Sequence, residues 1–330
     1  MARKLLVAGD YFVTPGLVSA ALADRVGEAV AVTELTLPWP HEPLRDVAEV
    51  SEASGDEERL VDALAGVEIA ITQVAPFTSR VFAAAESLRL VVVCRGGPVN
   101  VNLAAAQQHG VQVRNTPGRN AVAAAEHTVA LLLAALRRVP ELHADLRAGH
   151  WDGSRYALTE VGEELAGNTV GLVGYGEIGR RVARVLRAFD AQVLVSDPYL
   201  DTATLEGAET VSLPELLARS RVVSLHARLT EQTRHLIGAA ELAAMPRGAV
   251  LVNTARGGLL DYPAVVAALA SGQLGAAALD VFDVEPLPPD APILTAPRVV
   301  LTPHLAGGTR QTAQRAAALS AEVVAEYLRR

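Results

Sequence analysis

Short runs of consecutive apolar residues alternate along the chain with stretches in which apolar positions return every three or four residues. Residues 4–8, 67–73, 88–93 and 111–115 have the first character, and residues 81–85 and 103–109 have the second. The first pattern predicts strands and the second helices. Strands that stay apolar without polar alternation are covered on both faces, so the rhythm predicts an α/β domain around a parallel sheet. Residues 36–56, rich in Pro, Glu, Ser and Asp, read as a loop with one turn of helix.

The pattern changes at Asn115-Thr-Pro-Gly-Arg-Asn120. Asn120 is placed to cap a helix running to about Arg138, apolar on nearly every side and ending in two arginines that suit its C-terminus. Such a helix is buried, in a core or in a subunit interface. Residues 140–168, with Trp151 and Tyr156, read as an irregular arm. A second series of strands and helices runs from Thr169 to about Thr302.

That second series opens with a strand over 169–173 followed by Gly174-Tyr175-Gly176-Glu177-Ile178-Gly179 and an amphipathic helix. The spacing suits a dinucleotide. Gly174 permits a tight turn, Gly176 lets a pyrophosphate approach the backbone, and Gly179 lets the helix lie close to the sheet. The next strand, 192–196, ends at Asp197, 21 residues after Gly176. A carboxylate there accepts hydrogen bonds from an adenosine ribose and repels a 2′-phosphate, which favours NAD over NADP.

Composition narrows the chemistry. The 330 residues include 28 arginines and one lysine, Lys4, so anion binding falls to arginine, helix N-termini or backbone amides. The single cysteine, Cys94, excludes an intrachain disulfide and a cysteine-rich metal site, and the histidines lack metal-ligand spacing, so no metal is expected. The formal charge of −8 and the absence of a basic run argue against nucleic acid. No stretch is long and apolar enough to span a membrane, and the start reads as a first strand rather than a signal peptide. The expected compartment is the cytoplasm.

Three further strands end in groups able to do chemistry. Val250-Leu-Val-Asn-Thr254-Ala255-Arg256 carries an arginine, the segment Gly275–Glu285 carries Asp280 and Glu285, and Val299-Val-Leu-Thr-Pro-His304 ends in a histidine. Each has an ordinary alternative as a solvated or capping residue. Their joint position beyond the strands of a nucleotide-binding sheet makes a ligand crevice the stronger reading.

From about Leu88 to Ala313 the chain resembles the D-isomer-specific 2-hydroxyacid dehydrogenases, close in pattern to the 3-phosphoglycerate dehydrogenase-like subgroup. The resemblance rests on Asn115-Thr-Pro-Gly-Arg-Asn, Gly171-Leu-Val-Gly-Tyr-Gly-Glu-Ile-Gly-Arg, Asn253-Thr-Ala-Arg-Gly-Gly, Ala278-Leu-Asp-Val-Phe-Asp-Val-Glu-Pro and Thr302-Pro-His-Leu-Ala-Gly. It implies Arg256, Glu285 and His304 as the catalytic set. It also implies Tyr175, Gly176, Glu177, Ile178, Asp197, His226, Ala227, Thr254, Ala255, Asp280 and Gly307 as the contacts of NAD. His304 is the one plausible base among the three, with Glu285 stabilising its imidazolium and Arg256 gripping the substrate carboxylate bidentately.

The resemblance further implies two Rossmann-like domains facing a cleft. Residues 1–115 and 304–330 form the substrate-binding domain and residues 116–303 the NAD-binding domain, with a homodimer formed through residues 120–160. Departures from the family pattern lie on both the substrate and the cofactor side. The glycine turn reads Val93-Cys94-Arg95-Gly96-Gly97-Pro98-Val99-Asn100-Val101-Asn102, with Val99 and Asn102 where the family usually has aspartates. Arg228 replaces a usual proline on the cofactor side.

Arg95, Gly96 and Gly97 are therefore expected at the substrate, with Arg95 favouring a phosphorylated or sugar acid unless it pairs with an acid on its own loop. The chain's end at Arg330 leads to the expectation that a C-terminal regulatory domain is absent. The alternatives are a glyoxylate or hydroxypyruvate reductase and a non-catalytic, corepressor-like NAD(H) sensor.

Overall fold

A computed structural model describes residues 2–200, 205 and 207–330. In chain order it contains β1 (Arg3–Gly9), α1 (Pro15–Val26), β2 (Val30–Thr36), β3 (Arg45–Val47), β4 (Val50–Ala53), α2 (Glu57–Ala63), β5 (Ile69–Thr72), α3 (Ser79–Ala84), β6 (Leu90–Val93), α4 (Leu103–Gln108) and β7 (Gln112–Asn115). There follow α5 (Ala121–Leu136), α6 (Val139–Arg147), β8 (Thr169–Val173), α7 (Glu177–Ala188), β9 (Gln192–Ser196), β10 (Glu209–Thr210), α8 (Leu213–Arg219) and β11 (Val222–Leu225). The chain closes with α9 (Ala239–Ala244), β12 (Ala249–Asn253), α10 (Tyr262–Ala270), β13 (Leu274–Leu279), β14 (Val299–Leu301) and α11 (Arg310–Leu328).

These elements form two compact units, one running up to Asn120 and resuming at Gly308, the other spanning Ala121–Gly307. The boundaries lie a few residues beyond those drawn from the sequence. Thr116 donates its amide to the carbonyls of Val93 and Arg95, and Arg315 of α11 donates to the carbonyl of Arg119, which ties residues 116–120 to the first unit. At the other crossing, Leu305 and Ala306 donate their amides to the Asp280 carboxylate, which keeps residues 304–307 with the second unit.

The first unit is a parallel sheet in the order β2-β1-β5-β6-β7. Its central strands are buried throughout because helices cover both faces. One face packs Leu60, Leu64, Phe77, Phe82 and Leu88 against the sheet. On the other, α11 lays Ala313, Ala316, Ala317 and Ala321 beside Leu5, Val7, Leu90 and Val92, so small side chains let the helix sit close. The region read as a loop between residues 36 and 56 instead contains the antiparallel hairpin β3-β4.

The second unit is a seven-stranded parallel sheet in the order β10-β9-β8-β11-β12-β13-β14, the doubly wound arrangement of dinucleotide-binding folds. The apolar helix α5 belongs to this unit's own core. Val129, Leu131, Leu132 and Leu136 pack with Val170, Leu172, Val182 and Leu186. It ends at Leu136, because Arg138 adopts a left-handed backbone (φ 56°) and is consumed by ion pairs to Glu141 and Glu160 rather than facing solvent at a helix end. The stretch expected to be an irregular arm carries a regular helix, α6, held by Arg155 pairing with Glu141 and Asp145.

Among the described residues, no helix is long and apolar enough to cross a membrane.

Candidate active site

The glycine turn between β8 and α7 has the construction that its spacing predicts. Gly174 adopts φ 97°, and a Cβ there would lie 2.7 Å from the backbone of His226, so a side chain is excluded on both counts. A Cβ on Gly179 would lie 2.4 Å from the Gly174 carbonyl oxygen, which explains the close approach of α7. At Gly176, the N-cap of α7, nothing stands within 4 Å of that position. The turn thus leaves open space where helix amides and the positive end of the helix dipole meet an incoming anion. Tyr175 is buried, and its amide donates to Oδ2 of Asp197 at 2.8 Å, while Tyr199 donates to Oδ1 at 2.9 Å. The acid at the end of β9 is thereby fixed beside the turn.

His226 follows β11 on the neighbouring strand end. Its amide donates to the carbonyl of Val173 at 2.7 Å, and its Nε2 lies 3.0 Å from the Ser224 hydroxyl. Burial pushes the imidazole down to about 4, so it is neutral near pH 7 and adds no charge beside the turn. Ala227 lies next to it, half-buried, and Arg228 is exposed.

Beyond β12, Asn253 organises the arginine loop from both ends. Its side chain accepts the amide of Ala255 at 3.0 Å and donates to the carbonyl of Arg256 at 2.9 Å. Gly257 completes the turn, since a Cβ there would fall 1.9 Å from the Phe282 backbone. The exposed Arg256 gives one Nη1 hydrogen bond to the Ala255 carbonyl at 2.7 Å, which leaves donors of its guanidinium for a ligand. Thr254 is buried and its hydroxyl meets that of Thr128 on α5 at 2.6 Å.

The histidine loop after β14 is held by one fully buried carboxylate. Asp280 accepts the Thr302 hydroxyl at 2.5 Å and the amides of Leu305 and Ala306 at 2.8 Å each. Its backbone carbonyl takes the amide of His304 at 2.7 Å. These bonds hold His304 at φ 53°, a left-handed conformation that a non-glycine residue adopts at a cost. His127 of α5 reaches the same group, with Nε2 3.0 Å from Thr302 Oγ1 and 3.4 Å from Asp280 Oδ1.

From this anchored loop His304 meets Glu285 through Nδ1, at 2.6 Å, while the other carboxylate oxygen of Glu285 accepts the Phe282 amide at 2.8 Å. A carboxylate at Nδ1 requires the proton there, so Nε2 is the nitrogen with a free lone pair. Nε2 has no partner among the described residues and the side chain is 41% exposed, hence accessible to a substrate.

The family model for the NAD binding domain of D-isomer specific 2-hydroxyacid dehydrogenases matches residues 129–306. Among curated relatives, the D-3-phosphoglycerate dehydrogenase of Methanocaldococcus jannaschii is 37% identical over 87% of this chain and 55% of its own length. The glyoxylate reductase of Korarchaeum cryptofilum is 41% identical over 77% of this chain and 76% of its own. The chain belongs to the D-isomer specific 2-hydroxyacid dehydrogenase family. A solved glyoxylate reductase from Paecilomyes thermophila superposes with a TM-score of 0.79 at 30% identity, covering 99% of this chain and 95% of that one. The chain spans about half the length of the curated phosphoglycerate dehydrogenases it matches.

Within this family the second unit is the NAD-binding domain, and the open turn at Gly176 with Asp197 beside it fits that cofactor. The catalytic and cofactor candidates Tyr175, Gly176, Glu177, Ile178, Asp197, His226, Ala227, Thr254, Ala255, Arg256, Asp280, Glu285, His304 and Gly307 all lie in this unit. Gly96 and Gly97 are exposed on the turn after β6 of the first unit. Beside them Arg95 donates through Nη2 to Glu52, an ion pair with an acid of β4 rather than with one on its own loop. Asn102 caps α4 by accepting the Ala105 amide at 3.0 Å.

Sequence reasoning assigned no role to Asn253, Thr128 or Thr302. Asn253 and Thr302 sit inside motifs already recognised. His127 and Thr128 announce themselves, with Glu126, as a run of three polar residues in a largely apolar helix. Among the described residues no cluster of metal-ligating side chains occurs.

Proposed function

We propose that this protein transfers a hydride between a nicotinamide and a D-2-hydroxy acid or its 2-oxo acid, with Arg256, Glu285 and His304 as the catalytic set. The observation that carries this reading is the Glu285–His304 pair at 2.6 Å, with Nε2 left free and its loop anchored on the buried Asp280. NAD, when bound, supplies or accepts the hydride. Gly176 and the start of α7 would take its pyrophosphate, and Asp197 its adenosine ribose.

His304 Nε2 then takes the proton of the substrate hydroxyl during oxidation and returns it to the carbonyl oxygen during reduction. Glu285 keeps the ring in one tautomer and stabilises the imidazolium. Arg256 grips the substrate carboxylate with its forked donors and polarises the carbonyl, tasks a lysine point charge performs less well. The carboxylate of Asp197 favours NAD by repelling a 2′-phosphate.

The substrate side of this reading places Arg95, Gly96 and Gly97 at the acid. Gly96 and Gly97 are exposed, and nothing lies within 4 Å of where a Cβ would stand on either, so their backbone can be approached closely. A phosphorylated or sugar acid fits Arg95 of this turn and Arg119, whose guanidinium lies within electrostatic reach of Arg95. The kinship with glyoxylate reductases makes a small 2-oxo acid the second reading.

The test is NADH and NADPH oxidation against glyoxylate, hydroxypyruvate, 3-phosphohydroxypyruvate and four-carbon sugar acids. Oxidation by none of them would sink the dehydrogenase reading and leave a cofactor-sensing protein.

A homodimer and a cytoplasmic setting complete the proposal. Leu142 and Leu146 of α6, with Trp151, Tyr156 and Leu158, are exposed at 39, 57, 86, 91 and 92%. An apolar surface of this kind marks an interface. Because α5 is occupied within its own core, the arm after it rather than the helix itself is the dimer surface. A single sedimenting species of monomer mass at micromolar concentration would refute it. The one cysteine, buried and free, suits a reducing compartment.

A further inference from the structure

At the carboxyl edge of the first unit's sheet, β1 runs into Asp10, β5 into Gln73, β6 into Cys94 and Arg95, and β7 into Thr116. In the strand order β2-β1-β5-β6-β7, the connections change sides between β1 and β5, and α/β sheets bind ligands in the crevice at such a point. This edge is polar and poorly satisfied. Nine buried side-chain nitrogen or oxygen atoms lack a hydrogen-bond partner among the described residues. Five of them lie here: Asp10 Oδ2, Gln73 Oε1, Arg95 Nη1, Thr116 Oγ1 and Arg119 Nη1. Buried orphan groups are few in native proteins, and a cluster of them marks a missing partner.

The arginines identify that partner's charge. Among the described residues Arg119 has no acceptor for any of its guanidinium donors; the ring of Phe12 lies 6.0 Å from its central carbon. Arg95 gives one arm to Glu52 and keeps Nη1 buried and unsatisfied. Burial pulls Arg119 down to about 10, and repulsion from the Arg95 guanidinium acts in the same direction. The nearby carboxylate, Asp10, is fully buried and spends Oδ1 on the amides of Phe12 and Val13 at 2.7 and 2.8 Å. It makes no ion pair with either arginine. Two partly desolvated guanidiniums with open donors are costly unless an anion completes them.

We propose that Arg119 and Arg95 together bind a second anionic group of the substrate, a carboxylate or phosphate carried beyond the 2-oxo acid, with Asp10 against it. Burial already holds the Asp10 carboxyl up at about 6. An anion arriving beside it raises it further and turns Oδ2 into a hydrogen-bond donor, which removes the repulsion a fixed carboxylate would exert. Arg119 lies outside the glycine turn and is a specificity-determining residue, not a catalytic one. The proposal depends on the dehydrogenase reading only for naming the ligand as substrate.

The experiment uses the full chain with two pairs of acids, 3-phosphohydroxypyruvate against hydroxypyruvate and 2-oxosuccinate against pyruvate. In the wild type the ratio of kcat/KM favours the anionic member of at least one pair, and the preferred pair tells phosphate from carboxylate. In Arg119→Gln that ratio falls about tenfold or more, and Arg119→Lys recovers part of it because charge returns without the fork. A ratio unchanged within twofold in both variants overturns the site.

A readout without turnover accompanies it. Millimolar phosphate or succinate raises the Tm of the wild type, and the rise is lost in Arg119→Gln. No rise in the wild type with either anion overturns the proposal. Anion-dependent stabilisation without reduction of any acid keeps the site and removes the dehydrogenase reading. Reduction of acids with no discrimination through Arg119 does the reverse.

Discussion

The two parallel sheets present opposite kinds of carboxyl edge. In the second unit the acids and the asparagine that anchor the site have their partners, while Arg256 and His304 Nε2 stay open toward a ligand. Asp280 accepts three donors, Glu285 is shared between His304 and the Phe282 amide, and Asn253 is bonded at both ends of the arginine loop. In the first unit Asp10, Arg95 and Arg119 crowd together without saturating one another. The satisfied edge has the fixed geometry that the proposed proton transfer requires, since such a step needs atoms held at hydrogen-bonding distance before the substrate arrives. The unsatisfied edge stores electrostatic cost that a ligand can relieve. On the proposed reading, chemistry falls to the second unit and selectivity to the first.

Substitutions in the satisfied edge should have the larger consequences. His304→Ala is expected to lower turnover about a thousandfold, roughly 4 kcal/mol, while NADH still titrates with near wild-type affinity. A variant within tenfold of normal turnover would remove His304 from the mechanism and weaken the contrast. Asp280→Ala leaves the Thr302 hydroxyl and two amides without an acceptor in a buried setting, a loss of about 4 kcal/mol in urea unfolding. Wild-type stability in that variant would mean the histidine loop is held by something else.

At the unsatisfied edge the sign reverses. The Asp10 carboxyl titrates near 6 when folded against about 3.8 for an ordinary aspartate, so the folded protein binds the extra proton between those values. Stability from this group is therefore present at low pH and lost as pH rises through 6. Asp10→Asn keeps a side-chain acceptor for the Phe12 and Val13 amides and removes the buried charge. It is expected to stabilise the protein by up to about 3 kcal/mol at pH 8, with the gain shrinking toward pH 4. A destabilised Asp10→Asn at pH 8 would show that the carboxylate's pull on Arg119 outweighs its own desolvation.

The smallest effect separates charge from shape within the satisfied edge. Arg256→Lys should raise KM for the 2-oxo acid and lower kcat together, for about 2 kcal/mol in kcat/KM. Unchanged steady-state constants would mean that Arg256 does not grip the acid.

Much of the second unit is legible in the sequence. The triplet Gly174, Gly176 and Gly179 has geometric reasons that local sequence spacing expresses, and Asp197 follows at the end of the next strand. The hairpin β3-β4 is not legible, because Pro, Glu and Ser hide a two-stranded ribbon whose pairing depends on its partner rather than its own pattern. Helix α6 escapes for a related reason: it is largely solvated, so no buried apolar stripe announces it.

Local order along the chain was enough to show strand and helix rhythm, the nucleotide turn and the residue types that the proposed hydride chemistry needs. These depend on backbone sterics and on side-chain chemistry that spacing carries directly. Tertiary structure alone decided which polar groups meet. It brought Asp280 to the amides of Leu305 and Ala306, His127 to Thr302 across 175 residues, and Asp10 near Arg119 without satisfying either. Whether a buried charge is compensated is set by neighbours distant in sequence, and no local pattern records it.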